Sequence, residues 1–406
     1  MEDVVECIKR FNAGRDPDRL AMKLARLRAS PFGFLRGTCH HFYERLEKAG
    51  LFAKAPLAWI CGDAHLENFG SYKGDNRQVY FDLNDFDEAT RAPLTWDLVR
   101  FTTSLLLAGD SVRATAADCV ALCRDVTTAY AATLHAGKAT WLERETATGL
   151  VQALLTDIAQ RKRPAFLDRR TQRKGKQRVI TCDGRHALAA TSAQRADVTE
   201  LMARFAKTQP DPAFYEVIDV ARRIAGTGSL GVDRFVVLVV GKGSPDANYL
   251  IDLKQALPSA PAQWLAAKPP GWPSEAQRVV ALEQRMQAVA MAFLNPVDWK
   301  DASYVLRALQ PSEDRLDLGR AGVSLDGIRG SVAAMAQILA SAHLRGAGRQ
   351  GAAIADDLVA FGADPTWAAP LLQAAQACAA DVTADWQAYA AAYDAGAFGS
   401  PTGGTR

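Results

Sequence analysis

The 406-residue sequence has no apolar run approaching the roughly eighteen residues a membrane-spanning helix needs, so no span is expected. It has little net charge either: a formal +3 over this length gives no reason to expect a nucleic-acid or membrane-surface partner. Short paired cysteine spacings are missing. Cys7, Cys39, Cys61, Cys119, Cys123, Cys182 and Cys378 are dispersed, without the CxxC-type pairs that build zinc sites, and read as reduced cytosolic thiols. Cys119 and Cys123, one helical turn apart in an Ala-rich segment, read as two small buried residues. The opening MEDVVECIKRFNAGRD brings acidic residues at once and no long apolar stretch, which argues against a secretory leader and for a cytoplasmic protein. There is no internal repeat.

What is present is the balance of an ordinary globular chain, 49% hydrophobic and 23% charged, long enough for two or three folding units. Residues 1–50 pattern as helix, with Val4, Val5, Ile8 and Phe11 on one face, interrupted by SPFGFLRG at 30–37. LAWIC at 57–61 has the form of a buried strand, followed by the polar loop GDAHLENFG and a second strand, QVYFDLNDF. Helix is expected from Trp96 to about Ala147, over 274–294 and over 325–395, with an antiparallel sheet over 215–256 and one more strand at SYVLRAL, 303–309. RVITCDGRHAL reads as a hairpin turning at Asp183-Gly184. The segment 161–178, with nine Lys or Arg against Asp168, reads as a solvated loop, and nucleic acid is an unlikely partner.

Three constellations carry chemistry. In GDAHLEN, Asp63 and Asn68 sit five residues apart between two strands. Phosphoryl transfer uses such a pair: the Asp orients an attacking hydroxyl and the Asn offers a neutral oxygen to magnesium, although an Asx-rich turn capping its own backbone would look the same. Seventeen residues on, Asn84-Asp85-Phe86-Asp87 ends a strand, where a carboxylate suits a hard cation. Asp82 and Asp85 both qualify, and Asp85 is preferred because Phe86 can pack beneath the site. Third is GxGxxG, Gly226-Thr227-Gly228-Ser229-Leu230-Gly231, followed by β-type VDRFVVLVV rather than by the helix a dinucleotide fold requires. That predicts a flap over phosphates, with Lys254 in the apolar strand YLIDLK reaching them. Desolvating Lys254 calls for a counter-charge, for which Glu283 is chosen over Glu275.

The segments SPFGFLRG, GDAHLENFG, NDFDEA, WDLVR, GTGSLG, DLKQA, QRVV and LASAH together resemble the uncharacterised bacterial family DUF2252 over nearly the whole chain. More distantly, GDAHLEN is similar to the catalytic loop of aminoglycoside and choline kinases, and NDFDEA to their metal-binding strand end. The resemblance implies an α+β, two-lobed protein-kinase-like fold, with a small antiparallel β lobe and a large helical lobe, using ATP and Mg2+. It makes Asp63 the catalytic base with His65 beside it, Asn68 and Asp85 the magnesium ligands, and Lys254 with Glu283 the phosphate-side pair. Residues 226–231, Arg307 and Leu309 would contact the nucleotide, the last two from the hinge strand, and Asp97 would accept backbone hydrogen bonds from the catalytic loop.

Motif order departs from ordinary kinases, because the catalytic loop precedes the glycine loop by more than 150 residues. A circular permutation, cut between the helix around His343 and residue 60, restores every element to cyclic order. The divisions expected are 1–205, first part of the helical lobe; 206–310, ATP-binding β lobe; and 311–406, second helical part. Arg36, Arg100 and His343 have no kinase counterpart and read as partners of buried carboxylates, with a substrate contact also open to Arg36. The favoured function is phosphotransfer from ATP to an unidentified small-molecule or protein acceptor. Nucleotidyl transfer, a nucleotide-binding pseudokinase, and a metal-dependent hydrolase built on Asp63, His65 and Asp85 are the alternatives.

Overall fold

The computed structural model describes residues 3–46, 50–310 and 314–399. It is a mixed α+β protein, 49% helical and 17% strand, with several small antiparallel sheets. No helix among the described residues is long and apolar enough to cross a membrane.

Residues 4–45 are a run of helices, Val4–Phe11, Pro17–Ala29, Pro31–Gly37 and Cys39–Arg45. SPFGFLRG therefore forms a helix rather than an interruption. Ser30 caps it by accepting from Gly33 N–H at 3.0 Å, and Pro31 occupies the first turn, where its missing N–H costs nothing. Strand Leu57–Ile60 pairs with Thr90–Pro93, and Phe69–Lys73 with Val79–Leu83, so 61–68 and 84–89 are the connections between two short sheets. Helices Thr95–Leu107, Ala116–Ala136, Leu325–Gly346 and Ala368–Asp394 surround these strands in one core containing Trp59, Leu98, Phe101, Val332 and Leu339.

The second assembly is a six-stranded antiparallel sheet in the order Asn295–Trp299, Ala302–Ala308, Tyr249–Gln255, Arg234–Val239, Val217–Arg223, Ala187–Ala189. One face packs Val237, Ile251, Leu253 and Leu306 on Val198, Leu201 and Phe205 of helix Ser192–Ala206. The period-2 alternation of strands turns Arg223, Arg234, Asp252, Lys254 and Arg307 onto the other face. Because Ala187–Ala189 joins this sheet and Ser192–Ala206 covers it, the β-rich unit begins well before the expected residue 206. The expected division at 310/311 borders residues 311–313, which lie outside the described residues.

Two local expectations are corrected. Asp183-Gly184 is not a hairpin turn: Gln177–Ile180 pairs backward with Thr171–Lys174 around Gly175, where φ is +64°. The basic segment is not a loop but helix Arg163–Asp168 plus this hairpin, fastened to the sheet by fully buried Arg178, which donates to Asp168 at 2.7 Å and Asp246 at 2.9 Å, and by Arg163 stacked on Tyr249. All seven cysteines are free thiols; Cys119 and Cys123 are buried.

Candidate functional site

A cavity of about 230 Å³ lies where the connections 61–68 and 84–89 meet the polar face of the six-stranded sheet. Asp63, His65, Asn68, Asp85, Asp87 and Glu88 line it from one side and Gly226–Ser229 from the other, with Arg15, Arg36 and Arg315 at its wall.

Asp97, fully buried at the start of helix Thr95–Leu107, shapes the first connection. Its two carboxylate oxygens accept from Cys61 N–H and Gly62 N–H at 2.9 Å each, and His343 Nε2 lies 3.3 Å away. Gly62 has φ +76°, and a Cβ there would fall 2.2 Å from Glu88 O, so only glycine lets the two connections approach this closely. Asp63 Oδ1 accepts from Arg100 Nε at 2.7 Å and lies 2.5 Å from Nη2 in the same ion pair, and its Oδ2 is 3.8 Å from His65 Nε2. Burial pushes the Asp63 carboxyl up to about 6 against the pull of Arg100. At neutral pH it remains mainly a proton acceptor. Burial drives the His65 imidazole down, keeping it neutral, while its Nδ1 accepts from Glu67 N–H.

Asn68 Nδ2 donates to Asp63 O at 3.0 Å and Asp85 O at 3.3 Å, tying the two connections together and leaving Oδ1 as the amide's acceptor atom. Lys254 Nζ lies 3.4 Å from Asp85 Oδ1 and forms its closest ion pair with Asp87. Burial acts to raise the Asp85 carboxyl, but Lys254, then Arg307 and Arg234, hold it below the ordinary carboxylate range. The counter-charge chosen for Lys254 is thus corrected: Asp87 and Asp85 serve it, whereas Glu283 sits 3.5 Å from Arg307 and its carboxyl is pushed up to about 7 by burial. Glu275 pairs with Arg278 at 2.6 Å.

Arg307 and Leu309 do not line the cavity. Arg307 is buried between Glu283, Asp252 and the carbonyl of Asn84. Leu309 borders a separate small cavity with Ile224, Ala225, Val236 and Leu250, and its N–H donates to Leu250 O. Arg36 pairs with Glu67 at 2.9 Å, and cation–π stacking places its guanidinium 5.5 Å from the Phe32 ring centre.

Sequence reasoning missed two arrangements. Asp252, two residues before Lys254 and so on its face, gathers Arg223, Arg234 and Arg307; the alternation in YLIDLK was the available signal. The N-terminal helices also grip the Gly-rich turn. Arg15 donates to Gly228 O at 2.7 Å and Leu230 O at 2.9 Å, buried Lys23 to Gly228 O at 2.9 Å, and Arg26 to Gly226 O at 2.5 Å. No local pattern announces pairs some 200 residues apart.

No curated protein and no solved structure matches the chain. One family profile does, over residues 15–392, and the chain therefore belongs to the bacterial family DUF2252, described as uncharacterised protein conserved in bacteria.

Proposed function

We propose that the protein is an ATP- and magnesium-dependent phosphotransferase built as a circularly permuted, two-lobed kinase-like fold. The observation that carries this reading is the convergence on one cavity of Asp63, Asn68 and Asp85 with Gly226–Ser229, with Lys254 paired to Asp85 and Asp87 beside it, from segments about 140 to 190 residues apart in the chain. The donor set fits the groups: Asn68 Oδ1 and the Asp85 carboxylate are hard oxygen donors of the kind magnesium takes. The grip on the Gly-rich turn engages carbonyls, leaving its amide side for phosphate oxygens. A hydrolase on Asp63, His65 and Asp85 fits less well, because Arg100 occupies Asp63 and Glu67 N–H occupies one His65 nitrogen.

In this reading Asp63, held by Arg100, orients the acceptor hydroxyl and takes its proton, while Asp97 keeps the loop in register. Asn68 and Asp85 hold the metal, and Lys254 exchanges part of its pairing with Asp87 for phosphate oxygens. Bound magnesium–ATP supplies the transferable phosphoryl group and neutralises its charge.

A second reading, nucleotidyl transfer with ATP turned around, is favoured by Asp252. Where ordinary kinases carry Ala two residues before the strand lysine, this chain has Asp252 held by Arg223, Arg234 and Arg307, so the sheet face around Lys254 is charged rather than apolar.

Thermal unfolding with ATP and Mg2+ tests the nucleotide site. A native-state ligand at 100 times its Kd adds about 2.7 kcal/mol, a shift of a few degrees. The shift should require magnesium and vanish in Asp85→Ala and Lys254→Ala; no shift with any nucleotide sinks both readings. ATP labelled at the α or the γ phosphate then separates nucleotidyl from phosphoryl transfer.

A further inference from the structure

We propose that Cys7, His41 and Glu44, none of which lines the cleft, form a binding site for a zinc-class divalent cation that joins the N-terminal helix to the body of the protein. Cys7 is on Val4–Phe11, and His41 and Glu44 are one turn apart on Cys39–Arg45. Their ligand atoms lie within 4.8 Å of one another, with Cys7 Sγ 3.4 Å and His41 Nδ1 3.9 Å from the same Glu44 oxygen, Oε2. Bonds of about 2.0–2.3 Å to a tetrahedral ion require ligand separations of roughly 3.3–3.8 Å, so small side-chain rotations close the set.

An independent observation points the same way. His41 is 5% exposed, and its Nε2–H donates to Asp385 Oδ2 at 2.9 Å. That bond fixes the tautomer that leaves a lone pair on Nδ1, and this buried Nδ1 has no hydrogen-bond partner. A carboxylate holding the far nitrogen of a histidine whose near nitrogen faces a thiol and a carboxylate is the arrangement that orients metal-ligating histidines. Arg45, paired with Asp385, secures the carboxylate in turn.

The donors name the ion class. Sulfur and imidazole select zinc or cobalt over magnesium, and three protein ligands leave a fourth position to water. On binding, the Cys7 thiol gives its proton to solvent and the thiolate bonds the metal, with no change of oxidation state. Cys7 precedes the stretch matched by the family profile, which begins at residue 15. The ion would pin the helix that runs on to Arg15 and its grip on the Gly-rich turn.

The test is titration of the chelator-stripped full chain with Co2+, then Zn2+. One equivalent of Co2+ should give a thiolate-to-cobalt charge-transfer band in the near ultraviolet that Zn2+ abolishes, and Zn2+ should raise the unfolding midpoint. Both responses should disappear in Cys7→Ser and persist in Cys182→Ser and Asp85→Asn, which separates this site from the cleft. Asp385→Asn should weaken the metal about 10- to 100-fold. If Cys7→Ser does not fold, zinc-edge X-ray absorption of the wild type decides: one sulfur with nitrogen and oxygen neighbours supports the site, and oxygen neighbours alone overturn it. A wild type with no cobalt band, or a Cys7→Ser variant with the same band, overturns it as well.

Discussion

Asp97 does at one position what a whole turn motif would otherwise do. Its two oxygens absorb the N–H groups of Cys61 and Gly62, which face the protein interior and have no strand partner. Asp97→Ala should cost about 3 kcal/mol, since it strands two buried donors and removes the Nε2 partner of His343, with Asp97→Asn losing about half as much. Urea unfolding of the three proteins checks the order. Glu88 makes a pH prediction. Burial lifts its carboxyl to about 7, while its Oε2 accepts from Ala260 N–H. A carboxyl raised in the folded state keeps a proton that the unfolded chain has released, so its ionisation costs stability as pH rises from about 4.5 to about 7. Glu88→Gln escapes that cost. Relative to wild type it should gain on the order of 1–2 kcal/mol across this window and nothing further above it, read from unfolding free energies at stepped pH.

Among the elements, the Gly226–Gly231 turn owes its position to helix Pro17–Ala29 and the residues before it. Gly231, at φ +86°, passes so close that a Cβ would sit 2.8 Å from Arg15 Cβ, and Asp16 N–H donates to Gly231 O at 2.9 Å. Lys23 is buried there with its amine driven well down by desolvation, so its charge is costly and its bond to Gly228 O is what it returns. Lys23→Met should change stability by under about 1 kcal/mol, because removing a desolvated charge offsets losing one hydrogen bond that Arg15 also makes. Amide exchange of 226–231 should nonetheless quicken several-fold; unchanged exchange would assign the grip to Arg15 and Arg26 alone. These elements also show what sequence reading reaches. The loops 62–68 and 84–88 were legible because their chemistry is local, as spaced Asp, Asn and Gly between apolar strands. The partner of Lys254 was not. Asp87 and Glu283 are both acids on neighbouring elements, and only the approach of 84–89 to the sheet face selects Asp87. The basic segment 161–178 misled for the same reason: its arginines look solvated until Tyr249, Asp168 and Asp246 supply stacking and charge.

At the scale of the molecule, the first and last described helices lie against each other. Arg28 pairs with Asp394 at 2.8 Å, Trp386 donates to Arg28 O, Tyr389 to Leu24 O, and Lys9 lies 5.9 Å from the Phe398 ring centre. Neighbouring ends are the condition under which a chain can be closed and reopened elsewhere. The proposed cyclic order makes a definite demand on such a rearrangement. Joining the ends through a flexible linker and opening the chain at the exposed Pro210-Asp211 junction, between helix Ser192–Ala206 and strand Val217–Arg223, cuts no helix and no strand pairing. It would place the glycine turn and Lys254 first and the Asp63 and Asp85 connections last, the order of an ordinary kinase. Most of the large core is built from segments that keep their internal continuity, and the added loop-closure cost grows only with the logarithm of linker length. The permuted chain should therefore unfold cooperatively, with an unfolding free energy within a few kcal/mol of the parent, and show the same magnesium-dependent ATP shift. A permuted chain that melts like the parent but has lost that shift would mean that the grip of residues 15–26 on the glycine turn depends on the native connection, making the N-terminal helices part of the nucleotide site rather than its support.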